Sequence, residues 1–387
     1  MAGPLDGLKV LEIAEAVAGP YAAMALGDAG AEVTKIESLD GDRSRDWGSH
    51  KRGDHGAVFA GLNRNKRSVT LDPSKPESKD AVRRLAKDAD VIICDVGWDK
   101  KIGLTFEDVQ AINPRAVYLS ISEWGDKGPW ANQPPYGELA AQLASEATLS
   151  LGNIGEKPVR EGTDIGSMYA GVYGIQGINA ALYARERTGK GQRIDVSLFG
   201  CLMALRSTLW VALSNPDYWW GFHLDSYIKP PDHGYKAKDG KRIFMSLARM
   251  TPEDREQLHT ELGGLGFLEG EPRKQMFLED RGGGGTRYGY LITDLWEKLF
   301  SNMDSGPLIE LLRKLGGWAF PLNDYQTLFD SDQVEAVGML TKMDYPGLGE
   351  RNAMQPPWEF ADTQASIRLP PPALGAHTKE VLAGVGL

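Results

Sequence analysis

Asp164 heads the run Gly162-Thr163-Asp164-Ile165-Gly166-Ser167-Met168-Tyr169-Ala170-Gly171. Behind it Met168, Val172, Ile175, Ile178 and Leu182 recur every three or four positions, the spacing of one buried helix face. A carboxylate at a helix start has two uses. As an N-cap it accepts hydrogen bonds from the free amides of the first turn and complements the positive end of the dipole. As a nucleophile it exploits the same amides, which favour its ionised form, and attacks an acyl carbon to give a covalent intermediate. The two uses are compatible, and position alone does not separate them. Gly166, Ala170, Gly171, Gly174, Gly177, Ala180, Ala181 and Ala184 let another backbone or a bulky ligand come close to the helix.

Other reactive side chains offer less. His50, Asp54 and His55 are the nearest approach to a cluster, and their spacing fits no standard metal site. Cys94 and Cys201 sit among apolar residues, as buried thiols do, so no disulfide and no metal are expected. Asn63-Arg64-Asn65-Lys66-Arg67-Ser68 is either a solvated basic loop or an anion site. Arg281-Gly282-Gly283-Gly284-Gly285-Thr286-Arg287 lacks the Lys-Ser/Thr and the preceding strand of a phosphate loop, and reads as a mobile loop or lid. The rings of Tyr218-Trp219-Trp220-Gly221-Phe222 serve core packing or an apolar acyl pocket.

These residues need a scaffold. Leu8–Ile13, Ala31–Ile36, Asp90–Cys94 and Ala116–Ser122 read as buried strands, and Gly19–Leu26 and Glu77–Leu85 as helices between them, the pattern of a parallel α/β sheet. A helix containing Glu138 is expected over Tyr136–Leu149. No G-x-G-x-x-G or G-x-x-x-x-G-K-[ST] supports a nucleotide cofactor. Lys100-Lys101 lies past a strand end, where open α/β sheets bind ligands. Ile228-Lys229-Pro230-Pro231-Asp232 reads as a linker and Asp239-Gly240 as a hairpin turn, which divides the chain into 1–224, a middle domain over 225–330, and a loop-rich return over 331–387. With 387 residues two domains are expected. No apolar run reaches membrane-spanning length, and Met-Ala-Gly-Pro-Leu-Asp-Gly is no signal peptide, which points to the cytoplasm. A net charge of −10 argues against nucleic acid as a partner.

Leu5-Asp6-Gly7-Leu8-Lys9-Val10-Leu11-Glu12, Ala18-Gly19-Pro20-Tyr21, Gly30-Ala31-Glu32-Val33-Thr34-Lys35-Ile36-Glu37, Asn65-Lys66-Arg67-Ser68, Asp164 with its Gly-rich helix, Arg187-Thr188-Gly189-Lys190-Gly191-Gln192 and Leu374-Gly375-Ala376-His377-Thr378 follow one another in order. Together they resemble the class III coenzyme A-transferases, the CaiB/BaiF family that includes formyl-CoA transferase. The resemblance implies a large Rossmann-like open parallel-sheet domain built from both chain ends, a smaller α+β middle domain, and an interlocked homodimer. It implies that Asp164 is the nucleophile that passes through an acyl anhydride and a CoA thioester, with Glu138 as a supporting carboxylate. CoA or acyl-CoA is then substrate, alongside a small carboxylic acid, and no cofactor is tightly bound.

The implied CoA contacts are Val17, Ala18, Ser38, Leu71 to Lys75, Asp95, Val96, Gly97, Lys101, Tyr136 and Gly137. Formyl-CoA transferase has a polar residue and an arginine where Val17 and Ser38 stand, which moves phosphate anchoring to Lys101, Lys75 or Arg43. The family's glycine-rich substrate loop precedes the middle-domain strand, whereas Gly282–Gly285 follows it, so the two are not equated. One rival is an α-methylacyl-CoA racemase with His and Asp as its bases, but no His occurs between His55 and His223. The other is a CoA-binding subunit of a heteromeric transferase, against which the presence of Asp164 speaks.

Overall fold

The computed structural model describes residues 2–48, 55–145, 164–205, 207, 234–282, 289–347 and 349–387. Six parallel strands form the main sheet: β1 (Lys9–Ile13), β2 (Glu32–Glu37), β3 (Lys66–Thr70), β4 (Val91–Asp95), β5 (Val117–Ser122) and β6 (Arg193–Ser197). Their order, β3-β2-β1-β4-β5-β6, is that of the doubly wound Rossmann sheet. It reverses between β1 and β4, where Val10 pairs Val33 on one side and Val91 on the other. A crevice must open above that switch point, because the connections leave β1 and β4 toward opposite faces.

The period-2 alternation of each strand fills two cores. Val10, Val91, Ile93, Val117 and Leu119 face α1 (Ala18–Asp28), α7 (Ile165–Thr188) and α8 (Leu198–Leu205). Leu11, Ile13, Ile92, Cys94 and Tyr118 face α3 (Pro76–Lys87) and α5 (Phe106–Ile112). Short helices α2 (Ala57–Leu62), α4 (Trp98–Ile102) and α6 (Glu138–Ala144) complete the connections. Cys94 and Cys201 are buried free thiols, as expected.

Three sequence expectations change. β3 and β6 join the four expected strands; both are rich in polar residues, so hydropathy hides them. The basic segment that runs into β3 is no solvated loop, and its Arg64 and Lys66 are taken up by carboxylates. Arg64 pairs with Asp28 at 2.6 Å, Asn65 donates to Asp28 and to the Ser366 carbonyl, and the Lys66 ammonium lies 2.9 Å from Glu12. The third change concerns α7, whose buried face is its small-residue stripe: Gly166, Ser167, Ala170, Gly171, Gly174, Ile178 and Ala181. Met168, Val172, Ile175 and Leu182 are half-buried. An added Cβ would meet the Ala18 carbonyl oxygen at Gly171, Leu119 at Gly174 and Ile194 at Gly177. The stripe serves close approach of backbone and sheet. The turn after α7 is likewise structural: Gly189 closes the helix at φ 70° and Gly191 donates to the Pro114 carbonyl.

One compact unit combines the described residues up to 205 with Asp332–Leu387. In that return, β10 (Leu340–Tyr345) and β11 (Gly349–Met354) form an antiparallel hairpin inside a stretch read from sequence as loop. The chain then runs along the open edge of β3. Ser68 exchanges hydrogen bonds with His377, donating its amide to Nδ1 and accepting the His377 amide, and the Thr70 amide donates to Thr378 Oγ1. The edge is thereby covered without a seventh strand.

The second unit lies between Ser207 and Ser331. Its sheet is β7 (Tyr235–Lys236), β8 (Arg242–Ser246) and β9 (Trp318–Pro321), all antiparallel, with the expected turn at Asp239-Gly240 between the first two. Helices Pro252–Glu261, Gly289–Phe300 and Ser305–Lys314 cover it, packed on Trp296 and Phe277 with ring centroids 4.2 Å apart. The expected boundary near 225, the linker, the Tyr218–Phe222 rings, His50, Asp54 and Gly283–Gly285 lie outside the described residues. No helix among the described residues is long and apolar enough to cross a membrane.

Candidate active site

Asp164 is the residue before α7, at the N-cap position, but its side chain makes no cap hydrogen bond. The cap comes from elsewhere. Glu138, the first residue of α6, accepts the Gly166 amide at 2.7 Å through Oε1. Its Oε2 accepts the Ser167 amide at 2.8 Å and the Ser167 hydroxyl at 2.6 Å, and Gln142 Nε2 donates to Oε1 at 2.8 Å. Two first-turn amides that a capping aspartate would ordinarily take are thus consumed by a glutamate on another helix. The Asp164 carboxylate keeps the electrostatic benefit of the helix dipole without spending its oxygens on the cap.

Glu138 is itself held. Gly137 caps α6 at φ 92°, and its amide donates to Glu123 Oε2 just past β5. Met168 of α7 packs against the small cluster of Ala16, Val17, Met24 and Leu62, and Ile165 and Tyr169 against the larger core that includes Ala22, Leu26 and Leu202.

At the crevice, the ends of β1 and β4 carry two carboxyls. The Glu15 amide donates to Asp95 Oδ2 at 2.8 Å. Burial pushes the Asp95 carboxyl up to about 7, although the residue as a whole is half-buried, and the nearby Glu15 carboxyl adds to the rise. Burial, then Asp42, also raises Glu15, while Lys35, Arg43 and Lys101 act in the opposite direction. Below them Lys35 meets Glu12 at 2.8 Å and Asp42 at 2.9 Å, all fully buried. Burial opposes the Lys35 charge, but Asp42, Glu12 and Glu37 outweigh it and hold the ammonium above the ordinary lysine range.

A family-wide sequence match identifies CoA-transferase family III over residues 5–378. The chain belongs to CoA-transferase family III. An acyl-CoA transferase of Fusarium pseudograminearum is 31% identical over 404 residues, spanning 100% of this chain and 85% of that one. The human succinyl-CoA:glutarate CoA-transferase is 28% identical over 405 residues, covering 99% and 86%. The crystal structure of a CaiB/BaiF family protein from Brucella suis superposes with a TM-score of 0.84 at 29% identity, covering 100% of both chains. This protein is an enzyme of the CoA-transferase class.

In this class III CoA-transferase most of the expected CoA contacts gather at the carboxyl edge of the sheet. Val17 and Ala18 follow β1, Ser38 follows β2, Leu71 follows β3, and Asp95, Val96 and Gly97 end β4. Val17, Ala18 and Leu71 are buried, so their side chains serve the core. Val96 is exposed, and Gly97 precedes α4 at φ 99° with its amide on Asp99. Ser38 Oγ turns to the Gly41 carbonyl at 3.4 Å. Lys101 is exposed with its ammonium 5.3 Å from the Trp98 ring, Lys75 lies 3.9 Å from Asp72, and Arg43 sits 5.6 Å from the Trp47 ring. Tyr136 is exposed and Gly137 adjoins Glu138. Among the described residues no group of three His, Cys, Asp or Glu could hold a metal; His55 instead meets Arg45 through Nδ1 at 3.2 Å and stacks on Phe59.

Sequence reading missed Glu15, Asp42, Lys35 and Ser167. Lys35 carried a signal, since a lysine inside Val33-Thr34-Lys35-Ile36 cannot be buried without carboxylate partners.

Proposed function

We propose that this enzyme moves CoA from an acyl-CoA donor to a free carboxylic acid, with Asp164 as the nucleophile. An Asp164 oxygen attacks the acyl carbon, the C–S bond breaks, and the CoA thiolate leaves an aspartyl–acyl anhydride. The thiolate attacks the aspartyl carbonyl, releasing the donor carboxylate and forming an aspartyl–CoA thioester. The acceptor carboxylate attacks that thioester, and the freed thiolate takes the acceptor's acyl carbon from the second anhydride, which restores Asp164. Each bond formed replaces one of similar energy, so the acyl group stays activated without ATP.

One observation carries the reading: Glu138, not Asp164, accepts the first-turn amides of α7. Family membership supports it, and so does the position of Val17, Ala18, Asp95 and Gly97 at the switch point. The human relative's activity makes succinyl-CoA with a dicarboxylic acceptor the first pair to assay. The homodimer implied by the family resemblance extends the proposal: two chains would cover Trp318 and Phe320, which stand 51% and 54% exposed on β9. Light scattering should then give about twice 42.3 kDa, and a monomer would reject it.

Asp164→Ala should abolish transfer while CoA still binds, and turnover at the wild-type rate would refute the mechanism. After incubation with acyl-CoA and hydroxylamine, the peptide holding Asp164 should carry a hydroxamate. Exchange of the acyl α-proton in deuterated water without acceptor acid would instead favour the racemase.

A further inference from the structure

The turn from β1 into α1, Ala14-Glu15-Ala16-Val17-Ala18-Gly19-Pro20, has almost nothing of its own to hold it. Val17, the N-cap of α1, makes no side-chain cap, and Ala16 sits at φ 67°, a left-handed conformation that costs a residue with a Cβ about 1 kcal/mol or more. Such a turn persists only if its surroundings over-determine it.

They do so from beneath. Lys35 of β2 donates to the Ala14 carbonyl at 2.7 Å, Asp42 Oδ1 accepts the Ala16 amide at 3.0 Å, and Lys66 of β3 donates to the Pro20 carbonyl at 2.9 Å. These three are tied together: Lys35 to Asp42 at 2.9 Å and Glu12 Oε1 at 2.8 Å, and Lys66 to Glu12 Oε2 at 2.9 Å. Glu12 and Lys35 are 0% exposed, Asp42 and Lys66 1%. Four buried charges are no bargain for stability, since apolar residues of the same volume often do as well or better. What the charges supply that apolar groups cannot is a grip on three specific backbone atoms.

We propose that Lys35, Asp42 and Lys66, anchored on Glu12, are positioning residues that hold the β1–α1 turn in the shape through which Val17 and Ala18 present their backbone to CoA. The inference rests on the proposed CoA site at that turn. It predicts that loosening the grip weakens CoA binding more than it slows chemistry, because Asp164 and Glu138 lie on other elements.

Two charge-balanced double variants test it. Lys66→Met with Glu12→Gln frees the Pro20 carbonyl and leaves the Lys35–Asp42 pair; Lys35→Met with Asp42→Ala frees the Ala14 carbonyl and the Ala16 amide and leaves Lys66–Glu12. The control is Arg64→Met with Asp28→Asn, a buried pair of the same unit that grips the C-terminal return instead. Each grip variant should raise the KM for succinyl-CoA, and the Kd for free CoA, about tenfold, equivalent to roughly 1.4 kcal/mol, with kcat changed by less than about threefold. The control should lose thermal stability with KM unmoved. Hydrogen exchange without ligand should show the peptide spanning residues 14–18 losing protection in the Lys35/Asp42 variant alone. Unchanged KM in both grip variants, or a KM rise as large in the control, overturns the proposal, as does wild-type protection at residues 14–18. A wild-type protein that binds no CoA would fail the proposed function instead, while the exchange experiment still decides whether the network holds the turn.

Discussion

Glu138 is the residue whose role the structure changes most. Its two oxygens answer the amides of Gly166 and Ser167, so the electrostatic work of capping α7 is separated from the residue at the cap position. Replacing it by Gln keeps the shape and removes the charge: the amide oxygen can serve one donor, but the NH2 group faces the other. Losing half of a cap costs about 1 kcal/mol, which the fold survives. The sharper expectation concerns catalysis. With one amide vacated, the Asp164 carboxylate can turn to the helix as an ordinary cap, and kcat should fall at least about tenfold, the loss of roughly 1.4 kcal/mol of transition-state stabilisation. Single-turnover rates of aspartyl–CoA formation check this; a Glu138→Gln enzyme with wild-type rates would show that Asp164 needs no such release. The sequence could not reveal the exchange of roles. Asp164 and Glu138 are far apart in the chain, and the local signal, an Asp before a helix, reads the same whether or not it caps.

At the scale of elements, α7 shows why periodicity alone misleads. Its aliphatic residues repeat at helical spacing, yet the face turned to the core is built from glycine and alanine because α1 and β5 approach too closely for anything larger. The cost of enlarging that face depends on what each glycine meets. A Cβ at Gly171 would stand 2.9 Å from the Ala18 backbone carbonyl, which cannot move without displacing the start of α1. At Gly174 the nearest atom, 2.7 Å away, is the end of the Leu119 side chain, which can rotate. Gly171→Ala should therefore destabilise by about 1–3 kcal/mol and raise the KM for acyl-CoA. Gly174→Ala should cost less, since alanine's better helix propensity, worth up to about 1 kcal/mol, offsets part of the crowding; urea denaturation of both variants gives the comparison. β3 was hidden for a related reason. Its partners Glu12, Glu37 and His377, and Asp28 for the preceding Arg64 and Asn65, come from distant parts of the chain, and Arg64 to Ser68 look like a solvated loop until those partners are in place. Thr378→Val removes the hydroxyl that receives the Thr70 amide and should cost about 0.5–1.5 kcal/mol in the same assay.

The architecture as a whole was the most legible level, because a doubly wound sheet repeats one pattern, apolar strand then helix, often enough that losing β3 and β6 does not obscure it. What stayed illegible is the charge buried beneath the sheet's carboxyl edge, and it should dominate the stability of this unit as pH changes. Asp42 is held down to about 2 by Lys35 and by the Ser44 and Ala16 amides against the opposing effect of burial. Its contribution is therefore complete above its unfolded value near 3.8 and lost as pH falls through about 2. Asp95 works the other way. Raised to about 7 by burial, it contributes stability that is full below its unfolded value and lost as pH rises through 7. Lys66, which burial lowers to about 8 despite Glu12, carries an unfavourable charge below that pH, so stability recovers between about 8 and its unfolded value near 10.5. The urea midpoint of the large unit should thus climb from pH 2 to 4, decline toward 7, and rise again above 8. Asp95→Asn tests the middle limb: the variant should match the wild type's slope below pH 4, show a shallower decline because the raised Glu15 still contributes one, and be more stable than the wild type at pH 7.5. A decline of equal depth in Asp95→Asn would move the burden to Glu15, the carboxyl beside it that is raised by the same burial.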